Sequence, residues 1–148
     1  MDNYMKSFFI RINLLAFMAL AACSAPEPAI PIEFSKVCAI SNEKKMVEVG
    51  GYLNTGKSVY CSNRGGRMEC AYGFTETQGA GKSISADIEQ GTRANQAEKL
   101  KSGYKREDIK IRDNNGNVID LAKKVRLTGK MSVTPDLSVC LIQVIKIE

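Results

Sequence analysis

Three stretches of this 148-residue chain carry residue types that could do chemistry. Gln78-Gly79-Ala80-Gly81-Lys82-Ser83 ends like a phosphate-binding loop, in which glycine amides and a lysine cradle a nucleotide. The first glycine of that pattern would fall at Glu76, whose carboxylate would repel phosphates. Asp113, Asn115 and Asn117 have the alternate spacing of a calcium loop. Its sixth and twelfth positions, however, are Val118 and Lys124, where glycine and a bidentate glutamate belong. That stretch reads as a hairpin turn.

The third stretch is a matter of charge. Residues 91–130 hold eleven lysines and arginines against five carboxylates, in a chain of net charge +5. Within it Lys99, Lys101, Lys105, Arg106, Lys110 and Arg112 form a candidate anion-binding set. Gly103 would let the chain turn there, and Tyr104 would add an apolar platform beside the charges. The alternative is an ordinary solvated surface. No catalytic pattern accompanies the charges. The chain has no histidine, so a general base would have to be Asp, Glu or Lys. Ser58, Ser62, Ser83 and Ser138 lack the glycine-flanked turn of a nucleophile elbow. The sequence points to a binding protein that is not an enzyme and uses no metal or cofactor.

Five cysteines remain to be placed. Cys38, Cys61, Cys70 and Cys140 have neither the close spacing nor the histidine partners of a zinc site. Four cysteines in an exported chain read as disulfides, with three connectivities open. Cys61 and Cys70 flank Asn63-Arg64-Gly65-Gly66 between two β segments, which favours their pairing and leaves Cys38 to Cys140. Closing that longer loop would restrict the unfolded chain by roughly 4 kcal/mol.

The fifth cysteine sits apart. Lys6 and Arg11 precede an apolar run from Ile12 to Ala22, interrupted only by Asn13. The run is far shorter than the about 20 residues of a spanning helix, and it has the form of a secretory signal. Its end, Leu20-Ala21-Ala22-Cys23, resembles the lipobox of bacterial lipoproteins. The resemblance implies lipid on the Cys23 thiol, cleavage of residues 1–22, and attachment to a membrane. Met5 offers an alternative start, and an ordinary signal cut near Ala22 is the alternative reading. Ser24 stands where an inner-membrane retention signal would carry Asp, so the resemblance favours the outer membrane, facing the periplasm.

These features need elements to hold them. Pro26, Pro28 and Pro31 make residues 23–32 an extended tether. Phe34, Val37 and Cys38 fall at helical spacing, which predicts a short helix within 33–45. Strands are expected near 46–54, 67–75, 83–89, 124–133 and 138–147. Ala94, Ala97 and Leu100, followed by Gly103, predict a helix over 92–102, and residues 109–120 a small hairpin. Val47-Glu48-Val49-Gly50-Gly51-Tyr52-Leu53 and Val125-Arg126-Leu127-Thr128-Gly129-Lys130-Met131 share one frame, with glycine in mid-strand. Two strands kinked alike suit a small closed barrel.

The fold class is therefore mainly β with one or two short helices, an OB-fold-like five-stranded barrel, with a small β-sandwich as the alternative. Over 46–147 the chain resembles exported OB-fold proteins related to the anticodon-binding-like family, and residues 46–148 would form that domain. The resemblance implies recognition across the second and third strands, with aromatic rings as stacking platforms. Tyr52, Tyr60, Tyr72, Phe74 and Tyr104 are the rings available. The expectation is a non-catalytic, lipid-anchored envelope protein with an OB-like binding domain. Its partners would be the membrane through Cys23, and either an anionic polymer or an envelope protein. Inhibition of an envelope or host hydrolase is a further alternative.

Overall fold

The computed structural model describes residues 27–55 and 58–148. The signal at 1–22, the lipidation site Cys23 and the first residues of the tether lie outside them. The rest is mainly β. Seven strands form one sheet: β1 (Ile30–Pro31), β2 (Met46–Asn54), β3 (Tyr60–Arg64), β4 (Arg67–Thr77), β5 (Ala80–Glu89), β6 (Val125–Val133) and β7 (Cys140–Ile147). Their order is β1-β2-β6-β7-β5-β4-β3, and β2 also pairs with β4. That extra pairing closes β2, β6, β7, β5 and β4 into a five-stranded ring. All pairs in the ring are antiparallel except β5 with β7. The closed ring is not a regular barrel, and it is compatible with both the small barrel and the sandwich expected from the sequence.

Alternation along the strands fills the ring. In β2, Val47, Val49, Gly51 and Leu53 point inward, while Met46, Glu48 and Tyr52 are only partly covered. Val125, Leu127, Gly129, Met131 and Val133 do the same in β6. Tyr72 and Phe74 of β4 and Ile142 of β7 complete a dry interior. Phe34 packs on Phe74 with ring centroids 5.6 Å apart, so the segment before β2 adds to the core.

The echoed glycines mark where the ring bends. β2 pairs with β6 over Met46–Gly51, then with β4 over Tyr52–Asn54. Gly51 stands at that changeover, and a Cβ there would lie 2.6 Å from the Thr75 carbonyl oxygen. At Gly129 a Cβ would lie 2.2 Å from the Gln143 carbonyl oxygen, beside the register shift between β6 and β7. Both positions let one backbone press on another, which is what a tight ring needs.

Two expected helices are absent. Residues 33–45 form two single 3-10 turns, Phe34–Lys36 and Ile40–Asn42. The Asn42 side-chain amide donates to the carbonyls of Lys36 and Val37, taking acceptors that a continuing helix would use. Residues 92–102 are extended and bent. The Ala97 N–H donates to Glu89, the Glu98 N–H to Lys110, and Ala97 carbonyl accepts from Gly91. Asn95 takes a left-handed conformation at φ 60°, which a helix excludes. The periodic Ala97 is buried, but against strands, through bridges to Gln90 and Ile111. The expected hairpin at 109–120 is reduced to a single bridge, Arg112 with Val118. Ile30–Pro31 of the tether lies alongside Val47–Glu48 as a two-residue parallel strand.

Disulfides join Cys38 to Cys140 and Cys61 to Cys70, the pairing the sequence favoured. The first staples the segment before β2 to the start of β7, and the second crosses the β3–β4 hairpin at directly paired residues.

Two predictions follow from this geometry. Gly129→Ala should lower the urea-unfolding free energy by about 1–3 kcal/mol or more, as overpacking against fixed backbone does. Gly50→Ala, whose methyl would meet only the movable Lys124 side chain at 3.2 Å, should cost much less. Equal losses would remove the closure role of Gly129. The disulfides should rank by loop length, since they span 102 and 9 positions. Removing Cys38–Cys140 as a paired Ala variant should cost roughly 4–5 kcal/mol, and removing Cys61–Cys70 roughly 2–3 kcal/mol. Calorimetry of the two variants checks the order.

Candidate anion-binding surface

The six cations of the candidate set do not converge on one point. Three of them, Lys99, Lys101 and Lys110, line a hollow of about 460 Å³ whose wall is the turn Ser102-Gly103-Tyr104. Lys110 and Arg106 border a second hollow of about 550 Å³, floored by Ile109, Ile119 and Leu121. The hollows share Lys110 and Glu107. Gly103, at φ 73°, makes the turn that the sequence required of it.

The other two cations are differently placed. Arg112 is half-buried, forming an ion pair with Glu98 and donating to the Gly116 carbonyl. It braces the loop and is not free for a ligand. Lys105 precedes the 3-10 turn Arg106–Asp108, and its N–H donates to the Asp108 carboxylate at 2.8 Å. Its ammonium has no ion pair among the described residues, and the same holds for Lys99, Lys101, Arg106 and Lys110. The carboxylates nearby are partly committed: Glu98 to Arg112, and Asp108 to backbone. Glu107 alone stays uncommitted on the rim of both hollows. A local positive excess therefore survives the folding, spread along a loop.

Tyr104 is not the open platform that its position suggested. Its hydroxyl accepts the Val59 N–H at 2.6 Å and its ring is half-buried, although one side lines the first hollow. Tyr72 and Phe74 are in the core. Burial, and then the nearby Tyr104, push the Tyr72 hydroxyl up to about 12. Tyr60 is the one ring among these five that stands well out, at 74% exposure. Among the described residues, no row of exposed rings lies ready to stack bases.

Sequence reasoning missed the strongest polar centre. On the outer face of β4 and β5, Asp87 is 4% exposed and Glu69 is 6% exposed. Arg64, from the end of β3, reaches Asp87 at 3.1 Å and lies 3.9 Å from Glu69. Ser85 donates to Asp87, and Gln143 of β7 donates to Glu69. Glu89 beside them accepts from Gln96 and pairs with Arg67. Buried carboxylates are tolerated only when paired and hydrogen-bonded, and breaking such a pair costs several kcal/mol. The only signal in the sequence was charge on the polar side of alternating strands, which ordinarily means solvent. The acids of this face are therefore held beneath Arg64 and are themselves buried.

The loop at 113–117 is a turn. The Asp113 carboxylate accepts the N–H groups of Asn117 and Asn115, which hold it below the usual carboxylate range. Among the described residues, no three His, Cys, Asp or Glu side chains group as metal ligands. Residues 79–83 form the β4–β5 turn and the start of β5.

No family model, curated protein or solved structure matches this chain.

If the loop hollows bind a polyanion, affinity should fall with salt through counterion release. Lys99→Ala with Lys101→Ala should then reduce the log–log salt slope for heparin by about 1–2, in proportion to lost contacts. Lys44→Ala with Lys45→Ala, which line neither hollow, should leave it unchanged. Equal losses would make the segment an ordinary solvated surface.

Proposed function

We propose that this chain is an exported, lipid-anchored binding module of a bacterial envelope, acting through its barrel surface without bond-making chemistry. The observation that carries the reading is the pair of disulfides, Cys38–Cys140 and Cys61–Cys70. Such bonds persist in oxidising compartments, where exported proteins reside. They account for every cysteine but Cys23, which follows the signal-like run and the Leu20-Ala21-Ala22 motif. A thiol left over at that place is the natural acceptor for diacylglycerol. Ser24 next to it supports the outer membrane, with the barrel facing the periplasm.

Binding at the surface suits the described residues better than catalysis in a cleft. Asp87 and Arg112 are held in ion pairs, and Lys99, Lys101 and Lys105 are exposed along a loop. A second reading, a polyanion as ligand, is favoured by one observation: Lys99, Lys101, Arg106 and Lys110 line adjoining hollows without committed partners. The acids on the β4–β5 face restrict that ligand to the loop side.

The anchor is tested by Cys23→Ala. The variant should appear in the soluble envelope fraction and lose incorporation of labelled acyl chains, while keeping both disulfides. Membrane partition unchanged from the parent would overturn the lipoprotein reading.

A further inference from the structure

The sheet has two ends, and they are protected differently. At one end β1 is two residues long and contains Pro31, which has no N–H to offer. At the other end β3 runs Tyr60-Cys61-Ser62-Asn63-Arg64 without proline. Its register with β4 fixes which backbone groups are spare. The hairpin turns through Gly65 and Gly66, at φ 57° and 85°, so Arg64 and Arg67 close the ladder. The Cα atoms of Cys61 and Cys70 are 4.0 Å apart, the closeness of a non-hydrogen-bonded antiparallel pair.

Tyr60, Ser62 and Arg64 therefore bond to β4, and the amides and carbonyls of Cys61 and Asn63 face the open side. Val59 keeps the same alternation, and its outward N–H is the one Tyr104 has capped. Among the described residues no such cap reaches the outward groups of Cys61 or Asn63. The edge is held in its extended form by the disulfide directly behind it.

Charge selects an occupant. β3 carries no carboxylate, and the acids nearest it, Glu69 and Asp87, are buried. At the turn, Arg64 and Arg67 are engaged by Asp87 and Glu89, so the charge free for a partner lies elsewhere. At the other end, the bond from Val59 to Tyr104 brings in the chain neighbours Lys101 and Lys105, neither ion-paired among the described residues. A second copy would meet this edge with the same cations, so like charge disfavours it.

We propose that β3 is a docking edge, which takes an extended, carboxylate-bearing peptide segment of a partner protein as an added strand. Main-chain bonds to Cys61 and Asn63 supply the pairing, and acidic side chains meet Lys101 and Lys105 at the Val59 end. Tyr60, exposed on the same strand, offers the incoming segment an apolar contact. This inference goes beyond the anchored-module reading and does not rest on the lipid.

The test uses the full chain in neutral detergent micelles and a ten-residue probe alternating Thr or Val with Glu. Addition of the probe should slow hydrogen exchange at the Cys61 and Asn63 amides, while the already bonded Ser62 amide changes little. Asn63→Pro removes one outward donor and leaves the β4 ladder intact. Because it also removes the side-chain bond to the Gly66 N–H, Asn63→Ala is the reference. Binding should fall about tenfold from the Ala to the Pro variant, the size of one lost main-chain hydrogen bond. The same probe with alternate amides N-methylated keeps its charge and should not bind. The proposal is overturned if the methylated or the Lys-for-Glu probe binds equally, or if the Ala and Pro variants match. No saturable binding of the probe overturns it as well. So does self-association of the chain through Cys61 and Asn63, since the occupant would then be a second copy. None of these outcomes alters the membrane partition of the Cys23→Ala variant, so the two readings fail separately.

Discussion

The ring closes because β2 serves two neighbours along one strand, and that is possible only where its backbone can be approached closely. Gly51 sits at the changeover from β6 to β4, with a carbonyl of β4 occupying the space a methyl would need. Gly129 does the same work between β6 and β7. These two close approaches bring the inward rows of Val, Leu and Ile to face one another across the ring. Everything inside the ring, from Val47 to Ile142, is dry because the strands curl tightly at these points.

A ring this small has little interior, and the chain extends its core by two different means. Before β2, Phe34 and Val37 are laid against the barrel and tied down through Cys38 to Cys140. Between β5 and β6, a long connection without helix is held by backbone bonds to strand ends, with Ala97, Ile109 and Ile111 turned inward. Side chains lock its course: Gln96 reaches Glu89 and the Arg93 N–H, Asn95 reaches the Ile147 N–H, and Arg112 holds Glu98. The connection is thus stabilised by specific hydrogen bonds where a helix would have used its own ladder.

That difference explains what the sequence made legible. Period-two alternation and mid-strand glycine are local signals, so Met46–Asn54 and Val125–Val133 could be read almost to their ends, and the cysteine spacing around Gly65-Gly66 indicated its own pair. The 92–102 helix was misread because Ala94, Ala97 and Leu100 satisfy helical spacing equally well when only Ala97 is buried. What decides the conformation there is the set of distant partners, Glu89 and Lys110, and no local pattern reveals them. The Arg64–Asp87–Glu69 centre was hidden for a related reason. Three charged residues on separate strands look like solvent-facing positions until register brings them together. The cation set was read by type alone, and only the fold shows that Arg112 is committed while Lys99, Lys101 and Lys110 share a hollow.

The buried acids also shape what the surface can recognise. Arg64 is the only described cation that ion-pairs with Asp87 and Glu69, and it is itself half exposed. Its guanidinium is therefore held in place by two carboxylates and cannot be spared for a phosphate without leaving them uncompensated. On the outer face of β4 and β5, that commitment leaves Arg64 occupied. Unpaired positive charge is left to the loop at 99–110, while Arg67 at the hairpin end faces Glu89. Between those two places runs the unpaired side of β3. Under the docking proposal, an acidic ligand would meet its attraction at that loop and its main-chain partners along the edge. Position, more than net charge, decides where such a protein can bind.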